Sequence, residues 1–154
     1  MRHSMMHMHQ ALHDVETMPC ACTALRKASR AVTRLYDGMM SATGMSIVQF
    51  SILRNIARRD ALPLMQLADL LVMDRTTLYR ALKPIEQRGW ISLRDGDGRT
   101  KLASMTEDGR KALKDATKAW QAAQARLLGN LGTDWTGIEA SLARLVTIAS
   151  EAMP

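Results

Sequence analysis

The chain has 154 residues, enough for one well-covered hydrophobic core and too few for two independent ones. Apolar residues make up 47% and aromatics only 4%, an apolar share carried by Ala, Leu and Met that fits a helix-rich fold and excludes a disordered composition. Lys and Arg number 21 against 15 Asp and Glu, a net charge of +6, and the whole excess lies in residues 1–101, where 15 basic groups face 9 acidic ones. Such a localised surplus favours a polyanionic partner, nucleic acid or a membrane surface. The longest apolar stretches, 61–65 and 70–73, fall far short of the roughly 20 residues of a membrane span, which excludes a transmembrane reading. No continuous apolar run near the start suggests a secretory signal, so a cytoplasmic location is expected, with Cys20 and Cys22 reduced.

In chain order, residues 1–18 are rich in Met and His without a sustained period and read as a flexible arm. From Leu25 the apolar positions Leu25, Ala28, Val32, Leu35 and Met39 recur at spacings of three and four, with Arg26, Lys27, Arg30 and Arg34 off that seam. This predicts an amphipathic helix ending near Gly44. Ser46 followed by Gln49 is a capping box for a second helix with Ile47, Phe50, Leu53, Ile56 and Ala57 inward, stopping near Asp60. Leu64, Leu67, Ala68 and Leu71 predict a short third helix, and Asp74 caps a fourth that begins at Arg75. Alternation at Ile91 and Leu93, the Asp95-Gly96-Asp97-Gly98 turn and alternation again over residues 100–104 predict a β-hairpin. Thr106, Glu107 and Asp108 open a long helix with its seam at Leu113, Ala116, Trp120, Ala123 and Leu127. After a turn over residues 129–133, a last helix follows with Trp135, Ile138, Leu142, Leu145, Ala149 and Ala152 in register. The seams near the two ends of the chain exceed what one small domain can cover, so these helices are expected to pack around each other and around a second copy, with an intrachain bundle as the alternative.

Residues 64–90 have the order of a helix-turn-helix followed by a hairpin wing. On a wheel of about 100° per residue, Leu78, Leu82 and Ile85 form one stripe of the fourth helix, while Thr76, Arg80, Lys83 and Gln87 gather opposite with Tyr79 beside them. A helix sorted in this way can enter the major groove, with Arg75 and Arg80 directed to guanine edges or phosphates and the hydroxyls of Thr76 and Thr77 to phosphates. An ordinary solvated face is the alternative. The wing adds Arg94, Arg99 and Lys101 around a glycine-bearing tip suited to the minor groove, and residues 75–101 together hold seven basic and three acidic groups. Asp95 and Asp97 would be repelled by phosphate and are expected to hold the turn or orient Arg99 instead. Pro84 lies inside the fourth helix and predicts a kink or a fresh turn after Lys83.

Met73-Asp74-Arg75-Thr76-Thr77-Leu78, Leu82-Lys83-Pro84-Ile85-Glu86, Gly89-Trp90-Ile91, Asp95-Gly96-Asp97-Gly98-Arg99 and residues 102–106 with Gly109 resemble the MarR family of winged-helix transcription regulators, from about residue 20 to the end of the chain. The resemblance implies a mainly α fold: a winged helix-turn-helix domain at 45–105 between dimerisation helices at 19–44 and 106–154, behind the arm at 1–18. It implies a homodimer that places its recognition helices in successive major grooves of a pseudo-palindromic double-stranded operator, with Arg99 reaching the minor groove. A small-molecule effector in the crevice between dimer helices and winged domain would change the separation of those helices and release a repressor. No cofactor and no membrane partner are implied.

Cys22 with Thr23-Ala24-Leu25-Arg26 resembles the first helix of the organic-hydroperoxide-sensing branch, where the aligned thiol is reactive and Tyr36 matches one of the tyrosines that assist it. Independently, a thiol at a helix N-terminus near Arg26 and Lys27 should have a lowered pKa, and Cys20 could resolve a sulfenate at Cys22 or either could cross-link to another subunit. Two small residues packed at a helix start are the alternative. His9, His13, Cys20 and Cys22 are a poorly spaced zinc set, and no metal is expected. All four His lie in the arm, and no Ser-His-Asp, Walker or glycine-rich phosphate motif is present, so an enzyme is not expected. A thiol oxidoreductase using Cys20 and Cys22 and a helical scaffold without nucleic acid are the competing functions.

Overall fold

The structure, a computed structural model, describes residues 19–98 and 100–152, without the side chain of Thr133. Its elements are α1 (Ala21–Met40), α2 (Ile47–Ile56), β1 (Leu62–Pro63), α3 (Leu64–Leu71), α4 (Arg75–Gln87), β2 (Ile91–Asp95), β3 (Lys101–Met105), α5 (Glu107–Leu131) and α6 (Trp135–Glu151), with short 3-10 turns at Ser41–Thr43 and Gly132–Asp134. The chain divides into two compact units, one ending at Arg34 and one beginning at Leu35. None of the described helices is long and apolar enough to cross a membrane. The expected mainly helical architecture with a small β wing is what the chain adopts.

The predicted caps form. At the start of α2, Ser46 accepts from the Gln49 amide at 3.2 Å and the Gln49 side chain accepts from the Ser46 amide at 3.1 Å. Thr106 accepts from the Gly109 amide at 3.0 Å at the start of α5, and the acids Glu107 and Asp108 follow at the positive end of the helix dipole.

The core of the second unit is built where α2, α3, α4, the sheet and α5 meet. Phe50, Leu53 and Ile56 of α2 are buried as expected, and so is Ile52, which lies off the predicted stripe. Ile52 is covered because α2 is packed on more than one side, against α3 and α4 and also against β3 and α5. Ala57, expected inside, is exposed, since α2 ends at Ile56 and the chain turns away. Phe50 stacks on Trp120 of α5 with ring centroids 5.4 Å apart, and the Arg54 guanidinium carbon lies 4.6 Å from the centre of the Trp120 ring.

The hairpin pairs antiparallel in the register Ile91↔Met105 to Asp95↔Lys101. A strand the sequence did not reveal, β1, pairs with β3 through Leu62↔Ala103, giving the sheet order β1-β3-β2. At two residues, one of them a proline without an N–H, β1 is too short for periodicity to register and can only be an edge.

Three further expectations are corrected. In α1 the buried side chains are Tyr36 and Met40, one position beyond the predicted seam, whose members Leu25 and Val32 are exposed. Helix α4 continues through Pro84 to Gln87 without a fresh turn. The ring stands near the helix end, where the one amide it withholds is a small part of the ladder. Gly129 lies inside α5, and the reversal comes at Gly132, whose φ of +62° few other residues adopt. Asp134 makes no side-chain cap on α6. The seam of α6 is present as predicted and uncovered: no residue of this helix is buried, and Ile138, Leu142, Leu145, Val146 and Ile148 are all exposed.

Candidate nucleic-acid interface

Helix α4 is preceded by a strained turn. α3 ends on Val72 at φ +51°, a left-handed conformation that a β-branched residue rarely adopts, and its amide reaches back to the carbonyls of Ala68 and Asp69. Two residues later the Asp74 carboxylate caps α4, accepting from the Thr77 amide at 2.9 Å and from the Thr77 hydroxyl at 2.6 Å. These hydrogen bonds hold the Asp74 carboxyl below the ordinary carboxylate range.

The helix then divides as its sequence predicts. Leu78, Leu82 and Ile85 are buried to 1% or less, while Arg75, Thr76, Thr77, Tyr79, Arg80 and Lys83 are exposed. Burial of the three aliphatic side chains, worth about 1.5–3 kcal/mol each, fixes the rotation of α4 about its axis and so decides which residues face outward.

Two concavities flank Tyr79. One, about 600 Å³, is lined by Arg75, Thr76, Tyr79, Arg80, Lys83 and Glu86 with Leu93 of β2. The other, about 400 Å³, brings Arg75, Leu78 and Tyr79 together with Leu64, Met65 and Lys101. The structure therefore gathers Arg75, Thr76, Tyr79, Arg80 and Lys83 on one surface and sets Lys101 beside it. Arg94 is exposed on β2 but lines neither concavity. Arg99 lies outside the described residues. Glu86, which the sequence reading did not single out, is the one carboxylate in the larger concavity and is able to accept from a cytosine amino group.

One predicted role changes. The Thr77 hydroxyl proton is committed to Asp74, so Thr77 serves as part of the cap and has no donor left for a phosphate. Asp95 pairs with Lys101 at 2.8 Å across the end of the hairpin, and that hydrogen bond raises the Lys101 pKa. Asp97 contributes its backbone carbonyl to the turn, accepting from Thr100 at 3.4 Å, while Gly96 donates to the Thr100 carbonyl at 2.8 Å.

The wing is anchored to α5. Trp90 precedes β2, and its carbonyl accepts from the Thr106 amide at 3.1 Å; the Thr106 hydroxyl donates to the Gly89 carbonyl at 2.5 Å. Gly109 packs so closely that a Cβ there would stand 1.9 Å from the Trp90 carbonyl oxygen.

In the first unit, both cysteines are free and exposed. The Cys20 carbonyl accepts from the Ala24 amide at 3.0 Å, which places Cys20 at the capping position of α1. Hydrogen bonds from the Thr23 side chain and amide lower the Cys20 thiol pKa. Thr23 stands three residues on from Cys20, within the first turn of α1, so its hydroxyl and amide both reach that thiol. Tyr36 is buried, its hydroxyl donates to Gln124 of α5, and burial raises its pKa. His9 and His13 lie outside the described residues.

A capped helix with one stripe buried and one cationic stripe open, followed by a basic antiparallel hairpin, defines a winged helix-turn-helix module. Residues 45–100 match the model of the MarR family. The chain is 30% identical over 90 residues to the organic hydroperoxide resistance transcriptional regulator of Bacillus subtilis (strain 168), a stretch covering 57% of this chain and 61% of that relative's length. It is similar to the M. tuberculosis transcriptional regulator MosR solved in complex with DNA, with a TM-score of 0.82 and 29% identity over 88% of this chain and 100% of that one. MosR solved in another crystal structure gives a TM-score of 0.75 and 30% identity over 86% and 97% of the two chains. The chain belongs to the MarR family of winged-helix regulators.

Proposed function

We propose that this protein is a sequence-specific, double-stranded DNA-binding transcriptional regulator, acting in the cytoplasm as a homodimeric repressor and not as an enzyme. The observation that carries the reading is the sorting of α4: with Leu78, Leu82 and Ile85 buried, Arg75, Thr76, Tyr79, Arg80 and Lys83 are left on an open, cationic surface. The MosR structure that this chain resembles over most of its length holds DNA, which supports the same use here. In this reading Arg80 and Arg75 address guanine edges or phosphates, Thr76 donates to a phosphate, and Lys83 supplies charge toward the end of the helix. Arg94, Arg99 and Lys101 belong to the wing contact. The Asp95–Lys101 pair is exposed, so a phosphate can replace Asp95 as the partner of Lys101.

Residues 19–44 and 106–154 are the proposed dimerisation segments. The uncovered apolar side chains of α6 support this, because a stripe of that length is not stable in water without a partner. Two copies then present two α4 helices to a pseudo-palindromic operator.

The signal that releases DNA is proposed to be an oxidant acting at Cys20 and Cys22, a reading favoured by the lowered Cys20 pKa and by the name of the Bacillus subtilis relative. A thiolate attacks the O–O bond of a hydroperoxide, giving a sulfenate and an alcohol. The neighbouring thiol condenses with the protonated sulfenate to form a disulfide and water. Oxidant-induced release that survives in both Cys20→Ser and Cys22→Ser removes this signal from consideration.

Selection of bound fragments from the source genome tests the main reading. Wild type is expected to recover one recurring pseudo-palindrome, and Arg80→Ala to bind it more weakly by about 1–3 kcal/mol with relaxed preference. Equal binding of all fragments by both proteins refutes it.

A further inference from the structure

Arg88 caps the C-terminal end of α4, and its cation is engaged differently from those of Arg75, Arg80 and Lys83. One guanidinium nitrogen donates to the Gly44 carbonyl at 2.5 Å, and the guanidinium lies 4.7 Å from the centre of the Trp90 ring. Gly44 belongs to the turn between α1 and α2, 44 positions away in sequence, and takes a left-handed φ of +66°. The same turn is fixed from its other side, where the Asp37 carboxylate of α1 accepts from the Ile47 amide at 2.7 Å. The end of α4, the start of α2 and the last turns of α1 thus meet in one hydrogen-bonded joint, and Trp90 continues it to Thr106 and the wing.

We propose that Arg88 is a positioning residue for DNA reading: its guanidinium braces the C-terminal end of α4 against the α1–α2 turn and against Trp90, so that helix and wing meet the duplex in one fixed arrangement. The proposal rests on the reading of α4 as the DNA-contacting helix. Arg88 itself touches no DNA. Without the brace, α4 samples arrangements that do not dock, and apparent affinity falls in proportion to the competent fraction while every direct contact is retained.

The test compares wild type, Arg88→Ala, Arg88→Lys and Arg80→Ala by fluorescence anisotropy, using as probe the duplex that wild type recovers from a randomised library, titrated across a range of salt. Arg88→Ala is expected to bind about tenfold more weakly at fixed salt, the scale of one charge-assisted hydrogen bond, with the slope of log affinity against log salt unchanged. Arg88→Lys is expected to be weakened as well, because an ammonium keeps the charge but cannot lie flat on an indole. Three results overturn the brace while leaving the α4 reading in place: Arg88→Ala binding like wild type while Arg80→Ala is impaired; a salt slope shallower by about one with Lys restoring full affinity, which marks a direct phosphate contact; or a loss explained by the unfolded fraction measured by denaturation at the assay temperature. If Arg80→Ala binds like wild type, the reading of α4 fails, and the brace falls with it.

Discussion

Replacing Gly109 by alanine tests how the wing is tied to the helical body. In an ordinary helix interior this exchange stabilises by about 1 kcal/mol, because alanine is the better helix former. Here the new methyl would stand 1.9 Å from the Trp90 carbonyl oxygen and 2.8 Å from its carbon, both backbone atoms, so the chain must withdraw by about 1.5 Å or more to reach ordinary contact. That withdrawal strains the packing by about 1–3 kcal/mol. It also pulls on the Thr106 amide bond to Trp90 at 3.1 Å and on the Thr106 cap of the Gly109 amide at 3.0 Å, each contributing about 1 kcal/mol. Set against the helix gain, the net loss is about 2–4 kcal/mol, a large part of the stability of a domain of this size. Urea denaturation followed by circular dichroism, at equal protein concentrations because a dimer's stability depends on concentration, measures it directly. Thermal unfolding should shift down by about 10 °C. A Gly109→Ala protein within about 0.5 kcal/mol of wild type would show that the junction yields freely and that the wing is not held in the way described.

Val72→Gly should stabilise by up to about 1 kcal/mol, since relief of the left-handed strain outweighs the extra chain entropy of glycine; a less stable variant in urea would mean that the Val72 side chain makes contacts that offset its strain. The Asp74 carboxyl has its folded pKa depressed, so its stabilising contribution is complete above the unfolded value near 3.8 and is lost as pH falls below that value through the folded one. Asp74→Asn, which caps without titrating, should therefore lose less stability than wild type over that acid range, and parallel curves would contradict the cap. Leu142→Asp, on the uncovered face of α6, should shift the protein from dimer to monomer in sedimentation and weaken operator binding without unfolding it; an unchanged sedimentation profile would place the dimer contact elsewhere.

Much of α4 was legible before any coordinates. Its start, its cap and its two faces follow from interactions within a few residues: Asp74 reaches Thr77, and Leu78, Leu82 and Ile85 align because a helix repeats every 3.6 residues. The capping box at Ser46, the hydroxyl cap at Thr106 and the hairpin with its turn after Asp95 are legible for the same reason. Periodicity was less reliable where more than one face is covered, as with Ile52, or where a seam is left exposed among the described residues, as with Leu25 and Val32. The lowered Cys20 thiol was not legible, because it depends on hydrogen bonds from the side chain and amide of Thr23, which form only once the start of α1 is folded.

Sequence alone determined that this chain makes a capped, two-faced helix followed by a basic hairpin, because those features are written in spacings of two to four residues. Only the tertiary structure decided that Leu62 pairs with Ala103, that Arg88 grips the carbonyl of Gly44, and that Gly109 must remain without a side chain beneath Trp90. These contacts join residues far apart in the chain. No local period encodes them, and they exist only once burial of the core has brought their elements within reach.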